Sequence, residues 1–151
     1  MATTVSTATL SVQIKEEITL NGTAYDQTIT KSITGIGNVS KRIFTIPANT
    51  TATLAEFLST STGEEFDTED TKYIRVTNLD DTNEVILTLA VTAAAGAIEL
   101  KPTSSTTLFS INANGAGSKA AQTSIDAIEH MYIHNAHGSA SVDVEVFIAT
   151  A

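Results

Sequence analysis

Apolar and polar positions alternate through most of the chain. From Leu10 the even positions Leu10, Val12, Ile14, Ile18 and Leu20 are apolar, with Glu16 the one break. That period of two predicts a strand, bulged near Glu16-Glu17. Asn21-Gly22 follows, and both residues tolerate the positive φ that a type I′ turn demands, so a hairpin is expected here. Tyr25, Ile29 and Ile33 mark the return strand, with Thr28, Thr30 and Ser32 on its other face. Gly35-Ile36-Gly37-Asn38 breaks that strand. Val39 to Ile46 makes the next, with Arg42, Phe44 and Ile46 on one side, and Pro47-Ala48-Asn49 stops it.

Thr51 to Leu58 carries two patterns. Leu54, Phe57 and Leu58 have helical spacing, while the threonines favour a strand, which is the reading adopted. Residues 59 to 71 are the most polar stretch and predict a long exposed loop. Lys72 to Val91 then reads as strand, polar turn, strand, a core hairpin in which Val85, Leu87, Leu89 and Val91 share one face. Short strands are expected around Ile98 and Leu100 and over Thr106 to Ile111. A loop over 112–118 and one helical turn within 119–127 come next. Met131 to His134 and Ser141 to Ala149 close the chain as a second hairpin, with Val142, Val144, Val146 and Ile148 alternating against Ser141, Asp143, Glu145 and Phe147.

About eight to ten short strands with no long helix predict an all-β fold, an antiparallel β-sandwich of jelly-roll type. The sandwich occupies residues 9–151 as a single domain. Residues 1–8, with Val5 as the one sizeable apolar side chain beyond Met1, read as an extended N-terminal arm.

Composition narrows the function. The 151 residues are enough for one good core. The 26 threonines suit strands that are apolar on one face and wet on the other. A net charge of -9, from 17 acidic and 8 basic residues, with no basic run beyond Lys41-Arg42, repels phosphate backbones and argues against nucleic acid as a partner. The absence of Cys excludes a disulfide framework and a thiolate metal site. No stretch approaches the roughly 20 apolar residues of a membrane span, and MATTVSTATL lacks the basic and apolar regions of a signal peptide. Synthesis in a host cytoplasm is expected, with no membrane partner.

Candidate chemistry is sparse. Glu64, Glu65, Asp67, Glu69 and Asp70, with Asp80, Asp81 and Glu84 in the turn, are hard oxygen ligands that could hold Ca²⁺. The spacing and turn glycine of an EF-hand are missing, so a solvated acidic surface is the expectation. His130, His134 and His137 have zinc spacing on a helix. On a strand, residues four apart stand about 13 Å apart, which makes them structural. Gly115-Ala116-Gly117-Ser118-Lys119-Ala120 fits G-x-G-x-x-A without the βαβ unit that fingerprint needs. There is no G-x-S-x-G elbow. Sequons occur at Asn21, Asn38 and Asn49. No catalytic, cofactor-binding or metal residue is assigned, and no cofactor is expected.

Tyr73-Ile74-Arg75-Val76-Thr77-Asn78-Leu79-Asp80, the Val85 to Val91 strand, and Ala140-Ser141-Val142-Asp143-Val144-Glu145-Val146-Phe147-Ile148-Ala149 together resemble small virion structural proteins of tailed bacteriophages, particularly marine and cyanobacterial ones. The resemblance implies a β-sandwich virion component and no catalytic residue. An arm poor in apolar residues becomes ordered mainly when a neighbour holds it, which favours a capsid decoration or cement protein. Such a protein, expected as a homotrimer, would bind the major capsid protein or other virion proteins on the head shell and stabilise the lattice by mass action. A tail or fibre protein is the alternative within that class, a carbohydrate-binding adhesion module the alternative outside it, and an enzyme comes last.

Overall fold

A computed structural model describes residues 6–58, 66–67, 70–91, 98–100, 108–111 and 128–151. The strands are β1 (Ala8–Glu16), β2 (Thr19–Leu20), β3 (Thr23–Ala24), β4 (Gln27–Ile36), β5 (Asn38–Ile46), β6 (Thr50–Leu58), β7 (Phe66–Asp67), β8 (Thr71–Asn78), β9 (Ile86–Val91), β10 (Ile98–Leu100), β11 (Leu108–Ile111), β12 (Ile128–Asn135) and β13 (Val142–Thr150). Among the described residues there is no helix. One sheet has the order β11-β8-β13-β5 and a second the order β10-β9-β12-β6-β7, all pairs antiparallel except β6 with β7. Two further pairings, β1 with β4 and β2 with β3, build a hairpin outside the two sheets.

Alternation along each strand decides which side chains meet between the sheets. Val142, Val144, Val146 and Ile148 point inward from β13, beside Ile74 and Val76 of β8 and Ile46 of β5. They pack with Leu54 and Phe57 of β6, Leu87 and Leu89 of β9, and Met131 and Ile133 of β12 in one core cluster. Each such side chain stabilises the fold by about 1.5–3 kcal/mol relative to exposure. The strand reading of Thr51 to Leu58 and the faces expected for β9 and β13 agree with this burial.

Two of the expected hairpins are corrected by the topology. β8 and β9 lie in different sheets, and so do β12 and β13. The connections over 79–85 and 136–141 therefore cross the core as arches, as does the one over 47–49 between β5 and β6. A period of two reports which face of a strand is buried but not which strand it pairs with.

Two buried asparagines hold the arches. Asn78, 2% exposed, donates from Nδ2 to the Asn83 carbonyl at 2.9 Å and accepts the Asp80 N–H at 2.9 Å. Asn135, 0% exposed, shares its Nδ2 among the carbonyls of Ile46 at 3.1 Å, Pro47 at 3.2 Å and Ala140 at 2.8 Å, and its Oδ1 accepts the His137 N–H at 3.0 Å. A backbone bond from the Asn49 N–H to the His137 carbonyl joins the 47–49 and 136–141 arches, and one from the Leu79 N–H to the Asp143 carbonyl ties the start of the 79–85 arch to β13.

The N-terminal part departs from expectation in two details. Residues 1–5 lie outside the described residues, Ser6 and Thr7 are exposed, and Ala8 already sits in β1 opposite Ile36. The register shift falls between Ala8 and Leu10 rather than at Glu16-Glu17. Within the expected regions 59–71, 92–97, 101–107 and 112–127, only Phe66, Asp67 and residues 70–71 are described.

Asn135→Ala leaves three carbonyls and one N–H of the arches without their partner inside the core. We expect a destabilisation of about 2–4 kcal/mol, seen as a thermal midpoint lower by roughly 5–15 °C. An unchanged midpoint would show that water replaces the amide at no cost.

Candidate interaction surfaces

From Leu10 to its turn the hairpin of β1 to β4 keeps a single register. Leu10 stands opposite Ile33, Val12 opposite Lys31, Ile14 opposite Ile29 and Glu16 opposite Gln27. A bond from Tyr25 N–H to the Ile18 carbonyl continues the ladder, and Leu20 stands opposite Thr23. Asn21 and Gly22, at φ 51° and 80°, close it as the expected two-residue turn. Opposed residues share a face, so Leu10, Ile33, Val12, Ile14, Ile29, Ile18, Tyr25 and Leu20 lie along one side, interrupted by Lys31, the Glu16–Gln27 pair and Thr23.

Only the base of that ladder is covered. Leu10, Val12, Ile33 and Ile36 pack with Tyr73, Phe147 and Ala149 on the outer face of the β11-β8-β13-β5 sheet. From Gln13 to Ser32 every residue is exposed, which makes the hairpin an arm about 25 Å long beyond the sandwich. Gly35, at φ 75°, sits where the arm returns, a backbone conformation that side chains with a Cβ rarely adopt. Next to it a Cβ on Gly37 would lie 2.9 Å from the Ala151 carbonyl carbon, so the arm's root is closely seated.

Beside the root, the same outer face carries charges. Tyr73 meets the Phe147 ring edge-on at 5.9 Å, and the Arg75 guanidinium lies 5.5 Å from the Phe147 centroid, a cation–π contact. Glu145 takes an ion pair from Lys41 at 2.9 Å and a second from Arg75. The hydrogen bond from Lys41 holds the Glu145 carboxyl below its ordinary value; burial opposes this, and the charges of Lys41 and Arg75 add to the lowering. On the edge strand β5, Val39 and Ile43 are exposed.

The opposite outer face, on the second sheet, carries the histidines. His130 stacks on Tyr132 at 5.6 Å and lies 3.9 Å from Glu56, and His134 Nδ1 is 2.9 Å from Thr51 Oγ1. His137 sits in the arch over 136–141, where its Nδ1 accepts the N–H groups of Ser139 and Ala140. The three rings are thus engaged separately. Among the described residues no group of three His, Asp or Glu is placed to hold a metal.

Of the acidic residues, Glu64, Glu65 and Glu69 lie outside the described residues. Asp80 turns back on its own arch, accepting the N–H groups of Thr82 at 2.8 Å and Asn83 at 2.6 Å. These bonds, the Asn83 backbone bond first, lower its pKa. The G-x-G-x-x-A stretch at 115–120 also lies outside the described residues. Asn21 and Asn49, both at φ 51°, serve turns.

Comparison with protein-family models, with curated proteins and with solved structures gave no match. The grouping of Arg75, Lys41 and Glu145 and the two arch asparagines escape sequence reading. Strand partners have to be known before residues 41, 75 and 145 can be brought together. The one signal for Asn78 and Asn135 is their position where apolar runs end.

Glu145 and Asp80 are more acidic folded than unfolded. Their contribution to stability is therefore complete above the unfolded carboxylate value and is lost as pH falls through the folded value. We expect the unfolding midpoint to decline on acidification below pH 4.5, the ordinary glutamate value. In Glu145→Gln, stability at neutral pH should drop by about 1–3 kcal/mol as Arg75 and Lys41 lose the charge and one of the two acceptor oxygens they pair with, and the acid decline should become shallower. An acid limb identical in the two proteins would remove Glu145 from this account.

Proposed function

We propose that the chain is a non-enzymatic structural subunit of a tailed-phage virion, a decoration or cement protein that binds the head shell as a homo-oligomer and is built as a jelly roll. The observation that carries this reading is the arm, a ribbon of 20 exposed residues from Gln13 to Ser32 with an apolar face, rooted on a sandwich. An element of that kind has no use within its own core and serves assembly.

The jelly-roll reading is supported by strand order. With β5, β6 and β8 to β13 taken as the eight strands, one sheet runs β5-β13-β8-β11 and the other β6-β12-β9-β10. Every connection changes sheets except β9 to β10. Double sheets of eight strands wound as two Greek keys recur in viral capsid domains and in lectins.

The lectin branch of that architecture keeps a second reading in view, a carbohydrate-binding adhesion module. The stacked His130 and Tyr132, with Thr51, Thr53 and Thr88 around them in the ladder, are the feature that favours it.

An electrophoretic count of copies per purified particle separates these readings. Hundreds of copies are expected for the shell, and a dozen or fewer would move the protein to the tail or a fibre. Absence from particles, together with saturable binding to a glycan array that His130→Ala and Tyr132→Ala abolish, would replace the virion reading with the adhesion module.

A further inference from the structure

We infer that the exposed half of the arm is a docking element for a second copy of this chain, seated against the outer face of that copy's edge strand β5. The same ladder that is buried at its base on Tyr73 and Phe147 continues without a change of register into Ile14, Ile29, Ile18, Tyr25 and Leu20, which stand 40–59% exposed. A two-stranded ribbon is marginal in water without a third layer, so this face is completed by something outside the chain.

The complement is found on the chain itself. Ile43 is 59% and Val39 48% exposed on β5, the free edge of its sheet, in the same cross-strand rows as Glu145 and Ala149. The arm's five side chains offer on the order of 500 Å². Covered by an equal area of a neighbour, they approach the roughly 1,000 Å² of a specific interface.

Charge agrees with this seating. Toward the arm's tip Lys15 is paired with Glu17, leaving Glu16 and Asp26, while Lys31 lies nearer the root opposite Val12. On the receiving face Lys41 and Arg75 share the carboxylate of Glu145, and the Asp143 carboxylate, which accepts from Thr45, lies one row further along. An acidic arm tip thus meets a face on which two cations balance two carboxylates, in a chain whose net charge is -9. Donor and receiver are different surfaces, so the contact is head-to-tail and closes into a ring when the rotation permits.

This deepens the assembly reading above but is tested apart from any particle. Light scattering of the purified chain at micromolar concentrations should show a concentration-dependent oligomer. The double variant Ile18→Asp, Tyr25→Asp, on the exposed arm, and the variant Ile43→Asp, on the edge strand, should each raise the dissociation constant at least tenfold with the circular dichroism unchanged. An equimolar mixture of the two variants retains one intact arm and one intact receiving face, and should form a dimer and nothing larger.

A mixture that stays monomeric overturns the head-to-tail contact, and so does a wild-type chain that is monomeric throughout. If the wild-type chain is monomeric while the arm variant fails to join particles, the arm's partner is another virion protein. That result overturns this inference and leaves the virion reading standing.

Discussion

One side-chain amide organises the end of this molecule. Asn135 terminates β12 inside the core, where an unpaired polar group costs about 1–3 kcal/mol, and it answers that constraint by binding backbone groups from two separate crossings. The last turn of β5, the start of the 47–49 arch and the far side of the 136–141 arch are thereby fixed to a single point. Asn78 does the same for the third crossing within its own loop. With the arches fixed, β5 and β6, β12 and β13, and β8 and β9 are each divided between the two sheets, and their inward faces pack in one core.

The strands were legible in the sequence and their partners were not. Period-two alternation identified Val142 to Ile148 and Val85 to Leu89 as core faces, and Asn21-Gly22 located the turn of the arm. The same alternation made β8-β9 and β12-β13 look like hairpins, because a polar stretch between two strands reads alike whether the chain folds back in one sheet or crosses to another. What distinguishes the two is the burial of Asn78 and Asn135, a tertiary property. The site suffered in the same way: the apolar ladder of the arm was visible as a pattern, while its exposure depends on how little of the sandwich lies beneath it.

The two outer faces of the sandwich have different chemistry, and the arm accounts for the difference. Where it is rooted, the face is aromatic and cationic, with Tyr73, Phe147, Arg75 and Lys41 packed or paired around Glu145. On the other sheet the face is a row of His130, Tyr132 and His134 bordered by threonines. A strongly acidic protein resists random association through self-repulsion, and on the first face Lys41 and Arg75 offset that acidity locally.

The arches also set an order of events for the nascent chain. β5 pairs with β13 and β6 with β12, so β5 waits for the last residues of the sequence to find its partner, and β6, paired early only with the two residues of β7, waits nearly as long for β12. Such non-local pairing is slow, on the scale of milliseconds to seconds. The arm closes a two-residue turn and forms in about 1–10 μs. The residues of the hairpin are therefore in place before Phe147, against which its base finally rests, has been synthesised. Throughout that interval its apolar face lacks the surface it later covers, and Lys15, Glu16, Glu17, Asp26 and Lys31 are the charges along it that oppose strand-to-strand aggregation.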